Sequence, residues 1–540
     1  MCSFYKFTIC WFGFLGVLLS GRLTLINCSR ILVSIPLAST RSHYMCFRLV
    51  MGALTSRRHE VTFIMSILNV ALSHNKTTLD EKFNFILYEG PFDASQYDEI
   101  LRRFQEQITR KNTVDDRRLK NWMAAADSVS NTSTQNPWHK TAVECDSILG
   151  NFTLLSTLKS AKYDLLIGDP AANLCTPLLA EVLSIPFLQY SIQGLRVMHH
   201  DRWFNQPIYP SFMPMPLMSF CDSMSFKVRL KNFISYKFAS LLIDSNAFAA
   251  FEKVKEKHVI RPDASLGNLL MRSQLLLVNS DLRVQEFARP FLPNVIPVGG
   301  VTAAPAQPLE KDLQEFFEGS GPHGVVVISM GTSLGFDESS SRDVAGALSR
   351  LEQRVLWMHR GTRPTNIGNN TRLIDWITIN DVLGHPKTKV LVNHGGTNTV
   401  LEAIYHGVPM VLIPLANDMF DITDRAVCRG VALRLNMPTL TGDVLIEAIK
   451  KVVSEPGFEE TSAQLSAVFK EMTPSPVETA AFWIEHVLKH GGDHLRPKFA
   501  ESLNIYQSIF LVILFIIGVS FLVFVKVMSY LWRCTKKRVS

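Results

Sequence analysis

The stretch "NHGGTNTVLEAIYHGVPMVLIPLANDMFD", residues 393–421, changes its hydrophobic period twice, and that change decides the fold class. It completes a short buried run, "TKVLVN", of the kind that forms an interior strand. "TVLEAIYHG" then has helical spacing, and "PMVLIPL" returns to a continuous apolar run. Strand, glycine turn, helix and strand make the repeating unit of a parallel sheet. Gly395 and Gly396 sit at the strand-to-helix turn, where a bare backbone lets a ligand approach and the helix start forms an anion seat. His394 beside them can donate to a phosphate. Glu402, further along the helix, can accept from ribose hydroxyls, and Asp418 follows the second strand to the same rim. "HGG" alone reads as a turn; the whole set describes a seat for a pyrophosphate-linked nucleotide with a hydroxyl-rich group at its far end.

The same alternation extends in both directions. Upstream lie "GVVVISMGTS", "DVAGALSRL", "RVLWMH", "TRLIDWI" and "INDVLGHP", alternating strand and helix patterns. Before them, residues 289–312 are dense in Pro and Gly and read as a linker. The N-terminal half opens the same way: "RILVSIPLAS" as a strand, "FRLVMGALTSRR" as a helix, "HEVTFIMS" as a strand. "KYDLLIGDP", "LCTPLLAEVLS" and "IPFLQYS" repeat the unit. Residues 195–275 are rich in Met, Phe and Pro and read as less regular helices and loops over an apolar pocket or a membrane-facing surface. The expectation is two doubly wound α/β domains with the ligand between them, outside the carboxyl ends of the strands.

Composition and the chain ends narrow the class. With 540 residues, 47% hydrophobic, 19% charged and a net charge of +7, the chain suits two globular domains plus extra segments. The body shows no basic run, which excludes a nucleic-acid groove. Residues 1–24 read as a signal peptide, and "SLNIYQSIFLVILFIIGVSFLVFV", residues 502–525, as one membrane span followed by a basic tail, residues 526–540. Positive charge after the span places the tail in the cytosol and the body in a lumen. Sequons at Asn27, Asn75, Asn131, Asn151 and Asn369 suit that side of a membrane. Of the nine cysteines, six lie between leader and span without metal-ligand spacing, so no metal site is expected and one disulfide is possible.

The block from "NTRLIDWITINDVLGHP" through "ANDMFD" resembles the signature of the UDP-glucuronosyltransferases, membrane-bound family-1 glycosyltransferases of the GT-B fold. "FLPNVIPVGGV", "VLWMHRGTRPTNIGNNT" and "HLRPKF" extend the likeness over most of the C-terminal half, and the N-terminal half matches in outline. The resemblance implies an acceptor-binding domain over residues 25–288, a UDP-sugar-binding domain over 313–473, and a last helix with a juxtamembrane segment over 474–500. It implies stacking of Trp376 on uracil, and phosphate contacts from Ser329, His394, Asn398 and the backbone of Gly395 and Gly396. Glu402 would hold the ribose, and Asp418 and the Met419 position the transferred sugar. His43, in "SHY", takes the place of the catalytic base, with Asp169 of "YDLLIGDP" as its partner.

Two motifs depart from the family pattern. Thr378 and Ile379 replace a proline and a glutamine near the uracil, and Met419 replaces a glutamine at the sugar. Loss of one such buried polar contact costs about 1–3 kcal/mol. The implied activity is inverting transfer of a sugar, glucuronic acid first, from its UDP donor to a hydroxyl of a small lipophilic acceptor. The alternative is a non-catalytic or altered-donor relative that binds a nucleotide and associates with active transferases. No cofactor is implied, since the UDP-sugar is a co-substrate. The expected setting is the endoplasmic reticulum membrane, with catalytic domains lumenal, a single span, and homo- or hetero-oligomers left open.

Overall fold

The computed structural model describes residues 28–36, 41–73, 80–93, 95–96, 137–170, 173–194, 203–204, 206–215, 218–331, 336–359, 361–415, 418–497 and 505–539. The expected signal peptide and the sequons at Asn27, Asn75 and Asn131 lie outside these residues.

Seven strands form the first sheet: β1 (Arg30–Ser34), β2 (Glu60–Ser66), β3 (Asn84–Tyr88), β4 (Leu165–Gly168), β5 (Phe187–Ser191), β6 (Leu276–Val278) and β7 (Val295–Pro297), in the order β3-β2-β1-β4-β5-β6-β7. Six form the second: β8 (Val325–Ser329), β9 (Arg354–Met358), β10 (Thr371–Ile374), β11 (Thr388–Asn393), β12 (Met410–Leu412) and β13 (Ala432–Arg434), in the order β10-β9-β8-β11-β12-β13. Neighbouring strands in both sheets run parallel. Each sheet reverses its winding order beside its first strand, and the crevice at that reversal is where such folds bind ligands.

The apolar runs read as interior strands are buried on both faces. In β1, Leu32 enters one core cluster while Ile31 and Val33 enter the other. In β8, Val325 and Val327 face one cluster and Val326 and Ile328 the opposite one. Period-2 side chains with helices on both sides leave no polar face, which explains the unbroken hydrophobic runs.

The helices that matter for the site are α1 (Arg41–Ser56), α2 (Phe226–Lys257), α3 (Ile379–Leu383), α4 (Thr397–His406), α5 (Asp418–Cys428), α6 (Pro476–His490) and α7 (Ile505–Val539). The stretch read as a linker is partly sheet. Val295–Pro297 pairs with β6, and Pro297, which has no N–H to donate, ends the edge strand, where a proline is tolerated. Residues 195–275 contain α2, a 32-residue helix started by the Ser225 side chain on the Val228 N–H. α6 returns to the first sheet, burying Ala480, Ala481, Ile484 and Val487 in its core. There Arg57 pairs with Glu478 and Glu485. α7 carries an apolar window, Ile513–Arg533, with mean hydropathy 2.3 and enough length to cross a membrane. It runs further than residues 502–525, because Val527, Met528, Tyr530, Leu531 and Trp532 continue the apolar surface beyond Lys526. Among the described residues two disulfides are present, Cys145–Cys175 and Cys221–Cys428, where the spacing suggested room for one.

Candidate active site

β1 ends beneath α1, and β4 lies next to β1 in the sheet, so residues just past these strands are neighbours. His43 stands in the first turn of α1 and Asp169 directly follows β4. Their side chains meet, His43 Nδ1 to Asp169 Oδ2 at 2.5 Å, with relative exposures of 5% and 0%. An ionised carboxylate can only accept, so Nδ1 carries the proton and Nε2 keeps its lone pair. The pair thus presents an oriented base from a buried seat.

In the second sheet, β11 delivers Asn393, which was not singled out from sequence and proves to organise the turn. Its fully buried side chain accepts from the Gly395 and Gly396 N–H groups at 2.9 and 3.2 Å and donates to the Ser329 carbonyl at 2.6 Å. The amides of the two glycines, expected to face a ligand, are therefore engaged. The open donors shift forward to the first turn of α4, whose N-cap, Gly396, supplies no side-chain cap. The glycines serve close approach instead. A Cβ at Gly395 (φ 84°) would stand 2.5 Å from Thr423 Oγ1, and one at Gly396 would stand 2.9 Å from His394 Nε2. Burial pushes the His394 imidazole down to about 4, against the opposing pull of the Ser329 carbonyl, so it is neutral at pH 7. Among the described residues His394 Nδ1, Thr397 Oγ1 and Thr423 Oγ1 are buried without a hydrogen-bond partner. Orphaned buried polar atoms are uncommon, and three around one glycine turn at a helix start suit a ligand rich in anionic oxygen.

Glu402 is buried on α4, 8% exposed. Burial pushes its carboxyl up to about 8. The facing Thr302 hydroxyl draws it part of the way back, and the Asp381 carboxylate raises it further. Thr302 belongs to the chain crossing between the sheets, a site residue that its loop composition did not reveal. Trp376 is half-buried after β10, and the Arg41 guanidinium lies over its ring, 3.8 Å from the centroid. Asp418 and Met419 open α5 and are half-buried. Met419 packs against the core cluster of Val326, Ile328 and Val392, and Ile379 against the opposite one. Both departures from the family pattern thus lie against apolar core.

The two halves meet at the carboxyl ends of their sheets. Asn398, in the first turn of α4, accepts from the Asn279 side chain at 2.7 Å and lies 3.3 Å from Cys46 Sγ. It also donates to the Ser42 carbonyl at 3.4 Å. Cys46 lies on α1 one turn after His43, and burial holds its thiol well above the ordinary range. Arg41, Ser42, His43 and Cys46 all lie within the first two turns of α1. The turn that carries the His–Asp pair therefore abuts the turn that carries the anion seat.

Two doubly wound parallel sheets whose carboxyl ends face each other across such a crevice define the GT-B class of glycosyltransferase. The calicheamicin glycosyltransferase CalG4 superimposes with a TM-score of 0.58 at 18% identity, covering 86% of this chain and 99% of that one. In sequence, mouse UDP-glucuronosyltransferase 2A1 is 32% identical over 478 residues, 86% of each chain. Human 2-hydroxyacylsphingosine 1-beta-galactosyltransferase is 30% identical over 511 residues, 93% of this chain and 87% of the relative. The family model described as "UDP-glucoronosyl and UDP-glucosyl transferase" matches residues 30–539. The chain belongs to that family, and it is a UDP-glycosyltransferase.

Proposed function

We propose that the protein transfers a sugar, glucuronic acid first among candidates, from its UDP donor to a hydroxyl of a small lipophilic acceptor, with inversion. The observation that carries this reading is the buried His43–Asp169 pair on the helix turn that abuts the first turn of α4. The acceptor O–H gives its proton to His43 Nε2 while its oxygen attacks the anomeric carbon. The bond from that carbon to the diphosphate breaks on the opposite face, and UDP departs with the electron pair. Asp169 fixes the tautomer and stabilises the imidazolium that forms. Open N–H groups of α4 and the neutral His394 take up the charge on the departing diphosphate. Trp376, steadied by Arg41, stacks on uracil, Glu402 accepts from the ribose, and Asp418 contacts the sugar.

The relatives include both glucuronosyl- and galactosyltransferases at 30–32% identity, so overall likeness does not separate donors. A thermal-shift panel of UDP-glucuronic acid, UDP-glucose, UDP-galactose, UDP-xylose and UDP-N-acetylglucosamine names the donor as the one that stabilises beyond UDP. The α7 anchor, with the sequons at Asn151 and Asn369 in the body, supports a single span with the catalytic domains in the lumen of the endoplasmic reticulum. His43→Ala should abolish turnover while sparing UDP binding; undiminished turnover would overturn the assignment.

A further inference from the structure

α5 opens with Asp418 and touches the anion turn, since a Cβ at Gly395 would stand 2.9 Å from the Met419 carbonyl. Its later turns reach out of the second sheet's domain. Ser219, from the chain preceding α2, donates to Asp424 Oδ2 at 2.6 Å and accepts from Arg434 Nη1 at 3.0 Å. Arg434 also pairs with Asp424, and both side chains are nearly buried. Two residues on, Cys221 is disulfide-bonded to Cys428, the last residue of α5, across 207 positions of sequence. Beside them Arg425 Nε pairs with Glu286 Oε1 at 2.8 Å with side-chain exposures of 10% and 3%, and Arg429 donates to the Glu286 carbonyl. Asp424, Arg425 and Cys428 of α5, with Arg429 just after it, thus tie this helix to the domain of the first sheet.

We infer that Ser219 and Cys221 are positioning residues for sugar transfer: by tethering α5 they fix the sugar contact Asp418 relative to the His43 base before either substrate binds. The inference rests on the transferase reading above. Sugar and base are held by different domains, so the attack distance is set by whatever joins those domains. A misplacement of about 1 Å can cost on the order of a hundredfold in rate. A covalent bond, the nearly buried Arg425–Glu286 ion pair and the Ser219 hydrogen bonds remove the hinge freedom that would permit it. Ser219 holds φ at +54°, a left-handed conformation that a serine adopts at a cost, and its side chain is the one that meets Asp424 and Arg434.

The test compares wild type, Cys221→Ser/Cys428→Ser and Ser219→Ala as full chains in detergent, with kcat expressed per bound UDP. The disulfide variant should lose on the order of tenfold in kcat, with little change in donor KM, and Ser219→Ala severalfold. A purely structural role would lower thermal stability and the UDP-binding fraction but leave kcat per bound UDP unchanged, and that result overturns the inference. Mild reduction supplies the same test without mutation. Cys145 and Cys175 are 0% and 5% exposed, whereas Cys221 and Cys428 are both half-buried, so the tether reduces first. Wild-type kcat should then fall to the variant's value while the variant stays unmoved; an unchanged wild-type kcat after confirmed reduction overturns it. Absence of turnover in untreated wild type would instead defeat the transferase reading.

Discussion

Glu402 makes donor binding depend on pH in a direction and size that can be worked out. Burial holds its carboxyl at about 8, so at neutral pH it is mostly protonated in the free protein. A ribose hydroxyl that donates to it selects the carboxylate, and binding must then expel the proton. At pH 7.0 only about one molecule in eleven carries the carboxylate, and at pH 8.5 about three in four, so affinity should rise about eightfold between them. His394, held at about 4, does not titrate in that window. The diphosphate of a UDP-sugar, esterified at both ends, also lacks the second phosphate ionisation near pH 6. Calorimetry with UDP-glucuronic acid in buffers of different ionisation enthalpy should count about 0.9 proton released per binding event at pH 7.0. Glu402→Gln keeps the size and a hydrogen-bonding oxygen but should show no release and a flat affinity profile. Zero release, or proton uptake, by wild type at pH 7.0 would refute the reasoning. The same shift acts on stability. The folded value lies above the ordinary one, so Glu402's contribution is intact below pH 4.5 and is lost as pH rises towards 8, by about 1.4 kcal/mol per unit at most. Glu402→Gln should therefore melt above wild type at pH 8.5 in the absence of nucleotide.

Thr302→Val removes the hydroxyl that opposes the upward shift of Glu402, so the affinity profile in the same calorimetric series should move to higher pH. Asp169→Asn should leave UDP affinity unchanged and lower kcat by about three to four orders of magnitude, because an amide no longer selects the tautomer with Nε2 free. Asn393→Ala strands two glycine N–H groups and the Ser329 carbonyl; a buried unpaired group costs about 1–3 kcal/mol, so both melting temperature and UDP affinity should fall together.

The sheets were legible because the interior of a strand buried on both faces must be apolar, and the stretches ILV, LLI, VVVI and VLV before Ser34, Gly168, Ser329 and Asn393 are. Those ends also pointed to Asp169 and the glycine turn, since doubly wound folds place ligands where strands stop; His43 was singled out by the family resemblance. What sequence left unread depends on partners far along the chain. Asn393 looked like the last residue of a strand, yet its amide closes the turn and engages the two N–H groups that glycine content alone suggested were open. The Pro- and Gly-rich composition around Val295–Pro297 suits a linker and an edge strand equally, because neither needs a full set of hydrogen bonds. α2 was illegible for the opposite reason: Phe226, Leu230, Phe233 and Ile234 are exposed on it, so its apolar residues do not report a buried face.

The donor sugar is the point where the site's two ends differ in kind. At the proposed UDP end, His394 Nδ1, Thr397 Oγ1 and Thr423 Oγ1 are buried without partners among the described residues, which suits a ligand that supplies oxygen. At the sugar end the equivalent pressure is missing. Met419 packs against apolar core, where it creates no unpaired group and penalises no particular sugar. Discrimination against a wrong donor is strongest when a rejected ligand leaves buried polar groups unmet. Among the described residues Asp418 is the polar side chain proposed for the sugar, and its reach depends on where α5 is held. A chain that ties α5 to the opposite domain by a disulfide, the Arg425–Glu286 ion pair and the Ser219 hydrogen bonds would set the sugar by position.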